Sequence, residues 1–401
     1  MSVLAGLTPE LWRAAVVVFL FGLWLSSRDL PWRWALPVTA LKVAIPLVYF
    51  AVDPAGHWHV SDGLDYHHDA LMLLRQGYGP LHVFTDPFAY LQFREAAGGL
   101  HMAYPLWNLV ALSWLGPHYF SPVFLNVGLT FAAGWLFVRM VRAAGFGPEY
   151  SLPALVFFLL HIDLLTWTSL LNLKDVWVMT LSLAVLVPAL SARSRLFWRL
   201  PLLVAALILL AFLRFYAPLL LLTAVAVWTA ATGAGRGRYV AVACAAGGVI
   251  TLGLWQRAGI MRAWAELDFA SIPFGVLRFL ITPLPWKLTP DYGFLLAPAT
   301  FHVLLLLPAL LAIPALWRRS RAARLPLLYL AVVILFYAAV PALQGSRQRL
   351  QTSFVFAWLQ FHALWTLARY AVPEAFGAAR GGPGGEGAGP TAASVSRSPT
   401  P

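Results

Sequence analysis

Residues 61–70 read SDGLDYHHDA, which puts three aspartates and two histidines into ten positions. Ionised carboxylates accept protons, and carboxylates and imidazoles together ligate divalent cations such as Mg or Mn. His57 and His59 lie just upstream and widen the same set, although the spacing matches no defined metal motif. If the stretch is helical from about residue 62, Asp62, Asp65 and Asp69 fall near one face. Ser61 or Asp62 would then cap the helix, and Leu64, Leu71 and Leu74 would form its apolar side. A capped, solvated surface helix accounts for the same residues without any chemistry.

Three basic turns complement these acids. LNLKDV (171–176) sets Lys174 beside Asp175, LRFYAP (213–218) embeds Arg214 between apolar runs, and QGSRQRLQ (344–351) carries Arg347 and Arg349. Guanidinium groups fork onto phosphate oxygens, and a lysine meets phosphate as a point charge. Snorkelling to lipid headgroups explains Arg214 as simply, and Lys174 and Asp175 can compensate each other. His161 and Asp163 fall inside an apolar run, where a hydrogen-bonded pair within the bundle accounts for them. Charges this close to hydrocarbon are costly, which makes the turns functional candidates.

The elements that must position these residues are strongly apolar. The chain is 60% hydrophobic and 11% charged, far from the balance of a soluble domain. Apolar runs occur at roughly 11–25, 36–52, 122–138, 152–170, 175–190, 200–213, 216–231, 239–255, 298–316, 325–342 and 352–369. They predict an all-α polytopic transmembrane bundle of about eleven spans over residues 1–370. Runs 200–213 and 216–231 are short, and form either a tight helix pair meeting at Arg214 or one long buried helix. Residues 102–115 are amphipathic, are interrupted by Pro105 and are expected at the interface rather than across the membrane. Two larger loops, 53–121 and 256–297, would carry short interfacial helices, with Trp286 at headgroup depth. The tail 371–401 reads as a disordered cytoplasmic end. No cleavage site follows the first apolar run. The single cysteine, Cys244, excludes an internal disulfide and a cysteine-rich metal site.

Charge gives an orientation. With loop 53–101 outside, the inner loops hold Arg28, Arg33, Arg139, Arg142, Arg193, Arg195, Arg199, Arg236, Arg238, Arg318, Arg319, Arg321 and Arg324. The short outer loops hold only Lys174, Arg214, Arg347 and Arg349, as expected for a positive-inside bias. The net charge of +12 is thus explained by a membrane surface and points to no nucleic-acid partner. The same trace collects the acidic loop and all three basic turns on the outer face.

On these residues the chain resembles the GT-C superfamily, polytopic glycosyltransferases such as the protein O-mannosyltransferases and aminoarabinose transferases. The resemblance rests on the pattern D-x-x-x-Y-x-x-x-A in the first large outer loop, here Asp62, Tyr66 and Ala70, ahead of a ladder of short spans. NLKD, LRFY and PLPW (283–286) resemble segments of bacterial membrane proteins of polysaccharide-related type. The resemblance implies an outer-loop aspartate as general base, Asp62 first and Asp65 second. It also implies a substrate-binding set of Tyr66, His67, Lys174, Asp175, Arg214, Arg347 and Arg349. The donor would be a polyprenyl-phosphate sugar, the acceptor a glycan, lipid or protein hydroxyl, and the location the outer face of a bacterial plasma membrane. No adjacent Asp-Glu or Asp-x-Asp pair is present, which leaves metal dependence open, as it does the acceptor type.

Two rival functions use the same residues. A polysaccharide polymerase or ligase would hold a lipid-linked oligosaccharide through the same arginines. A flippase or transporter for lipid-linked sugars should show internal repeats and a midplane site. Neither a repeat nor a charge path across the membrane is visible in the sequence.

Overall fold

The computed structural model describes residues 6–54, 56, 58, 61–97, 102–190, 196–232, 247–248, 261, 265–341 and 345–371. Among these residues the secondary structure is helical throughout, without strands. The expected span 239–255 lies outside the described residues apart from 247–248, as do His57, His59 and the tail from 372.

Among the described residues six segments are long and apolar enough to cross a membrane: Pro9–Ser26, Trp32–Val52, Phe120–Ala143, Pro148–Ser169, Pro290–Arg319 and Arg321–Ala338. Helix α1 (Pro9–Ser26) starts where Thr8 accepts a hydrogen bond from the Leu11 amide at 3.2 Å and proline fills the first helical position. It buries Leu11, Ala14, Ala15 and Val18 and exposes the row Trp12, Val16, Leu20 and Trp24. Leu304, Leu307 and Leu311 form a similar exposed row further on. Apolar rows this long facing outward are the mark of helices that meet lipid. Helix α2 (Trp32–Val52) packs beside α1.

The first large loop between apolar runs folds into α3 (Ser61–Arg75), α4 (His82–Thr85), α5 (Pro87–Ala96) and α6 (Ala103–Leu115). Ala70, Leu73, Val83, Phe93, Leu109 and Leu112 give these helices a small core of their own. The apolar side expected for α3 is met in part, since Leu71 and Leu74 pack against this core. Gly63, Tyr66, Ala70 and Leu73 are buried, while Leu64 is exposed. Small residues let the backbone come close, so close packing joins hydropathy in selecting that face. Pro105 does not interrupt α6, because it lies in the first turn where its missing N–H costs no intrahelical bond. At 13 residues α6 is too short to cross a hydrocarbon core of about 30 Å.

Helix α7 (Phe120–Ala143) is the most enclosed of the long helices. The run expected at 152–170 is broken into α8 (Pro148–Leu159) and α9 (Ile162–Ser169). A carbonyl freed at such a break needs a donor, and Lys42 from α2 supplies it, Nζ to the Leu159 oxygen at 3.0 Å. Helix α10 (Asp175–Leu190) follows. Helices α11 (Leu196–Leu213) and α12 (Ala217–Thr232) are a tight pair rather than one helix, with the chain turning at Arg214. Then come α13 (Ile272–Ile281), a 3-10 turn Pro285–Lys287, α14 (Leu296–Arg319), α15 (Arg321–Ala338), α16 (Ser346–Arg349) and α17 (Ser353–Ala371). Phe274, Leu277 and Trp286 are exposed along the expected interfacial segment.

Candidate functional site

The site is built where four chain segments end together. Asp62 lies in the first turn of α3, Asp175 opens α10, Arg214 occupies the α11–α12 turn and Arg347 sits in the single turn α16. Arg347 donates from Nη1 to Asp62 Oδ2 at 2.8 Å and from Nε to Asp175 Oδ2 at 2.9 Å. Arg214 donates from Nη2 to the other oxygen of Asp175, so that carboxylate is gripped by two guanidinium groups. Arg214 Nη1 also reaches Tyr216, and reaches the Tyr337 hydroxyl at 3.1 Å; the two hydroxyls are 3.0 Å apart. Lys174 donates to the Tyr66 hydroxyl at 2.6 Å.

An uncharged hub places α3 against this cluster. Asn172 donates from Nδ2 to the Gly63 carbonyl at 3.0 Å and to Asn108 Oδ1 at 2.6 Å. Its own Oδ1 accepts from the Tyr104 hydroxyl at 2.6 Å. Gly63 allows the approach, since a Cβ there would stand 2.7 Å from the Asn172 carbonyl oxygen.

Electrostatics divide the roles. Burial alone would raise the Asp62 pKa, but the charge and hydrogen bond of Arg347, with Lys174 behind, hold it below the ordinary aspartate value. Burial brings Lys174 down to about 7, the Arg214 charge adding to the effect and Asp175 opposing it. Burial pushes the Tyr66 phenol up, so it stays protonated and a donor. The Asp62 side chain is 41% exposed, whereas Asp175 is fully enclosed. Asp62 is therefore the carboxylate of this pair that solvent or a substrate can reach.

A cleft of about 380 Å³ opens beside Arg347, lined also by Trp167, Thr282, Pro283, Lys287 and Tyr292. Arg347 Nη2 has no hydrogen-bond partner among the described residues. Arg347 and Lys287 give the cleft two cationic side chains, a fit for an anion.

Of the residues singled out in the sequence, Asp62, Tyr66, Lys174, Asp175, Arg214 and Arg347 come together. Asp65 does not: it is exposed and makes none of the cluster's contacts, and with burial it raises the pKa of nearby Asp69. His67 turns toward the Tyr119 ring, 5.7 Å between centroids, and burial, with the charges of His118, His68 and Arg75, lowers it to about 4. Arg349 points away from the cluster, donating to the Thr282 carbonyl at 2.8 Å and facing Asp163 at 3.8 Å. His161 pairs with Gln360 at 2.6 Å rather than with Asp163.

A divalent cation does not fit here, because the Arg347 guanidinium occupies the space between the two carboxylates that a cation would bridge. Among the described residues no group of three or more His, Cys, Asp or Glu side chains is placed to hold a metal ion. Sequence reasoning did not reach Tyr216, Tyr337 or Asn172. Tyr216 stood two residues from Arg214 in LRFY, and Asn172 two from Lys174 in NLKD, so adjacency to the charges was the available signal. No protein-family model, curated protein or solved structure significantly matches this chain.

Proposed function

We propose that the chain is a membrane glycosyltransferase that moves a sugar from a polyprenyl-phosphate donor to an acceptor hydroxyl at the outer face of a bacterial plasma membrane. In this reading about eleven spans hold the site at the headgroup plane, with α3–α6 as the outer-face layer. A polyprenyl tail leaves the bilayer only at about 0.8 kcal/mol per CH₂. The bond to be broken therefore stays at the interface, and the catalytic groups must meet it there.

The observation that carries the reading is the position of Arg347. It contacts the exposed carboxylate Asp62 and also lines a cleft with Lys287. In the proposed step Asp62 takes the proton of the acceptor hydroxyl, and the acceptor oxygen forms a bond to the anomeric carbon. The bond from that carbon to the phosphate oxygen breaks, and the phosphate leaves with the electron pair. Arg347 and Lys287 receive the growing negative charge, as preset cations aimed at the leaving group. Asp175, held by Arg214, fixes the Arg347 guanidinium in the plane both tasks require.

The test is sugar release from a polyprenyl-phosphate sugar by the purified chain and by Asp62→Asn. Turnover by the wild type, lost in the variant by a factor of about 10² or more, is the expected result. Equal turnover by both removes Asp62 from the base role. Movement of the lipid-linked sugar across a bilayer with no bond cleavage would replace the enzyme by a flippase.

A further inference from the structure

The bundle carries a second charged cleft at its other end. Helix α14 begins beside Tyr292 and Leu295, which line the Arg347 cleft, and its 24 residues end at Arg319, roughly 36 Å away. Helix α17 likewise starts just after Arg349 and ends past Arg369. Around those far ends lies a cleft of about 550 Å³ lined by Arg319, Arg369, Glu149, His362, Tyr150 and Trp365. Its walls are fixed. Arg319 donates to the Gly145 carbonyl at 3.1 Å and lies 4.7 Å from the Phe146 ring centroid. Phe146 stacks on Tyr150 at 4.1 Å, and the Tyr150 hydroxyl is 3.1 Å from His362 Nδ1.

A second, apolar groove of about 690 Å³ adjoins it, walled by Trp34, Leu152, Val156, Phe157 and Phe361. Glu149 lines both cavities. Its carboxylate lies over the start of α8, where a Cβ on Gly147 would stand 2.4 Å from Oε2. Glu149 thus borders both a charged chamber and an oily one.

We propose that this pair of cavities binds one phospholipid with an amine in its headgroup. Arg319 and Arg369 take the phosphate, Glu149 takes the ammonium, and an acyl chain lies in the groove beside Phe361. Charge complementarity selects this occupant: two cations and one acid match a phosphate paired with an ammonium, and a basic pocket between spanning helices is a recurrent headgroup site. The groove selects a lipid over a free phosphate, which brings nothing apolar to cover it. The inference concerns the opposite end of the bundle and does not rest on the reaction proposed above.

The test is native mass spectrometry of the full chain titrated with phosphatidylethanolamine, phosphatidylcholine and phosphatidylglycerol of identical acyl chains. The wild type should retain phosphatidylethanolamine about tenfold better than either of the others, the worth of one charge-assisted hydrogen bond. Glu149→Gln should erase the preference over phosphatidylcholine while keeping the lipid. Arg319→Ala combined with Arg369→Ala should reduce retention of all three. Equal retention of the three headgroups by the wild type, a comparison that needs no variant to fold, overturns the proposal. So does stronger retention of phosphatidylglycerol, which would indicate a purely anionic site.

Discussion

Arg347 stands 2.8 Å from Asp62, a residue 285 positions earlier in the chain, and the contact joins the single turn α16 to the first turn of α3. The same guanidinium holds Asp175 through Nε, so the two carboxylates are tied through one planar group. A lysine is a point charge without that fork and cannot serve both at once. Arg347→Lys should therefore keep the fold and lower donor turnover by about tenfold or more, with a smaller change in donor KM. Steady-state kinetics on a polyprenyl-phosphate sugar checks it, and unchanged kcat would show that the bridge has no part in the reaction.

Asp175 and Arg214 form a fully enclosed pair. Removing one partner of such a pair leaves a buried charge with nothing to balance it, at a cost of about 3–5 kcal/mol. Asp175→Ala should be strongly destabilised, with Arg214 and Arg347 both deprived of the same carboxylate. Adding Arg214→Met to it should recover part of the loss, because the orphaned charge goes too. Melting temperatures of the two single variants and the double variant close the cycle. Additive losses in the double variant would show the pair to be uncoupled.

Lys174 makes stability depend on pH with a definite sign. Its ammonium titrates at about 7 in the folded chain and at 10.5 when unperturbed. Between those values the unfolded chain holds more protons, so stability rises with pH, by up to about 1.4 kcal/mol per unit. The penalty is full below the folded value and gone above the unfolded one. Lys174→Met loses the Tyr66 contact at every pH but escapes the penalty. Its stability relative to wild type should be greatest near about pH 6 and fall steadily toward about pH 10. Thermal unfolding across that range measures it, and an offset that ignores pH would contradict the lowered value.

Much of the architecture was legible because a hydrocarbon core demands long apolar runs, and among the described residues those runs marked helices to within a few residues. The 152–170 run concealed a break, since Leu159, whose carbonyl is freed there, and the Lys42 that satisfies it lie 117 positions apart. The helix expected from about residue 62 is present as α3. Hydropathy placed Leu71 and Leu74 on its packed side but misplaced Leu64, which is exposed while the smaller Gly63 is buried. Arg347 and Arg349 looked equivalent in a short turn. Two positions along a helix turn a side chain by about 200°, which sends one into the cluster and the other toward Asp163. Asn172 and Tyr337 are ordinary residues whose roles arise through partners distant in sequence.

Gly63 offers a test of positioning that removes no charge. Its carbonyl accepts from Asn172, and it packs so closely that a Cβ would meet the Asn172 carbonyl oxygen at 2.7 Å, closer than real Cβ contacts. That oxygen belongs to backbone and cannot swing aside, so in Gly63→Ala the start of α3 must move outward. Asp62 is the next residue, and its 2.8 Å bond to Arg347 would lengthen. Overpacking of this kind costs about 1–3 kcal/mol. Alanine favours the helix more than glycine does, by about 1 kcal/mol, so the net loss of stability should be modest. Turnover should fall about tenfold while the variant remains folded, because displacing a catalytic carboxylate by a fraction of an ångström is expensive. Gly77→Ala, where nothing lies within 4 Å, is the control: its positive φ of 88° strains the backbone without touching the site. It should lose stability and keep kcat. If Gly63→Ala turns over donor as fast as wild type, the closeness of α3 to Asn172 serves packing alone, and the register of Asp62 on Arg347 is not what sets the rate.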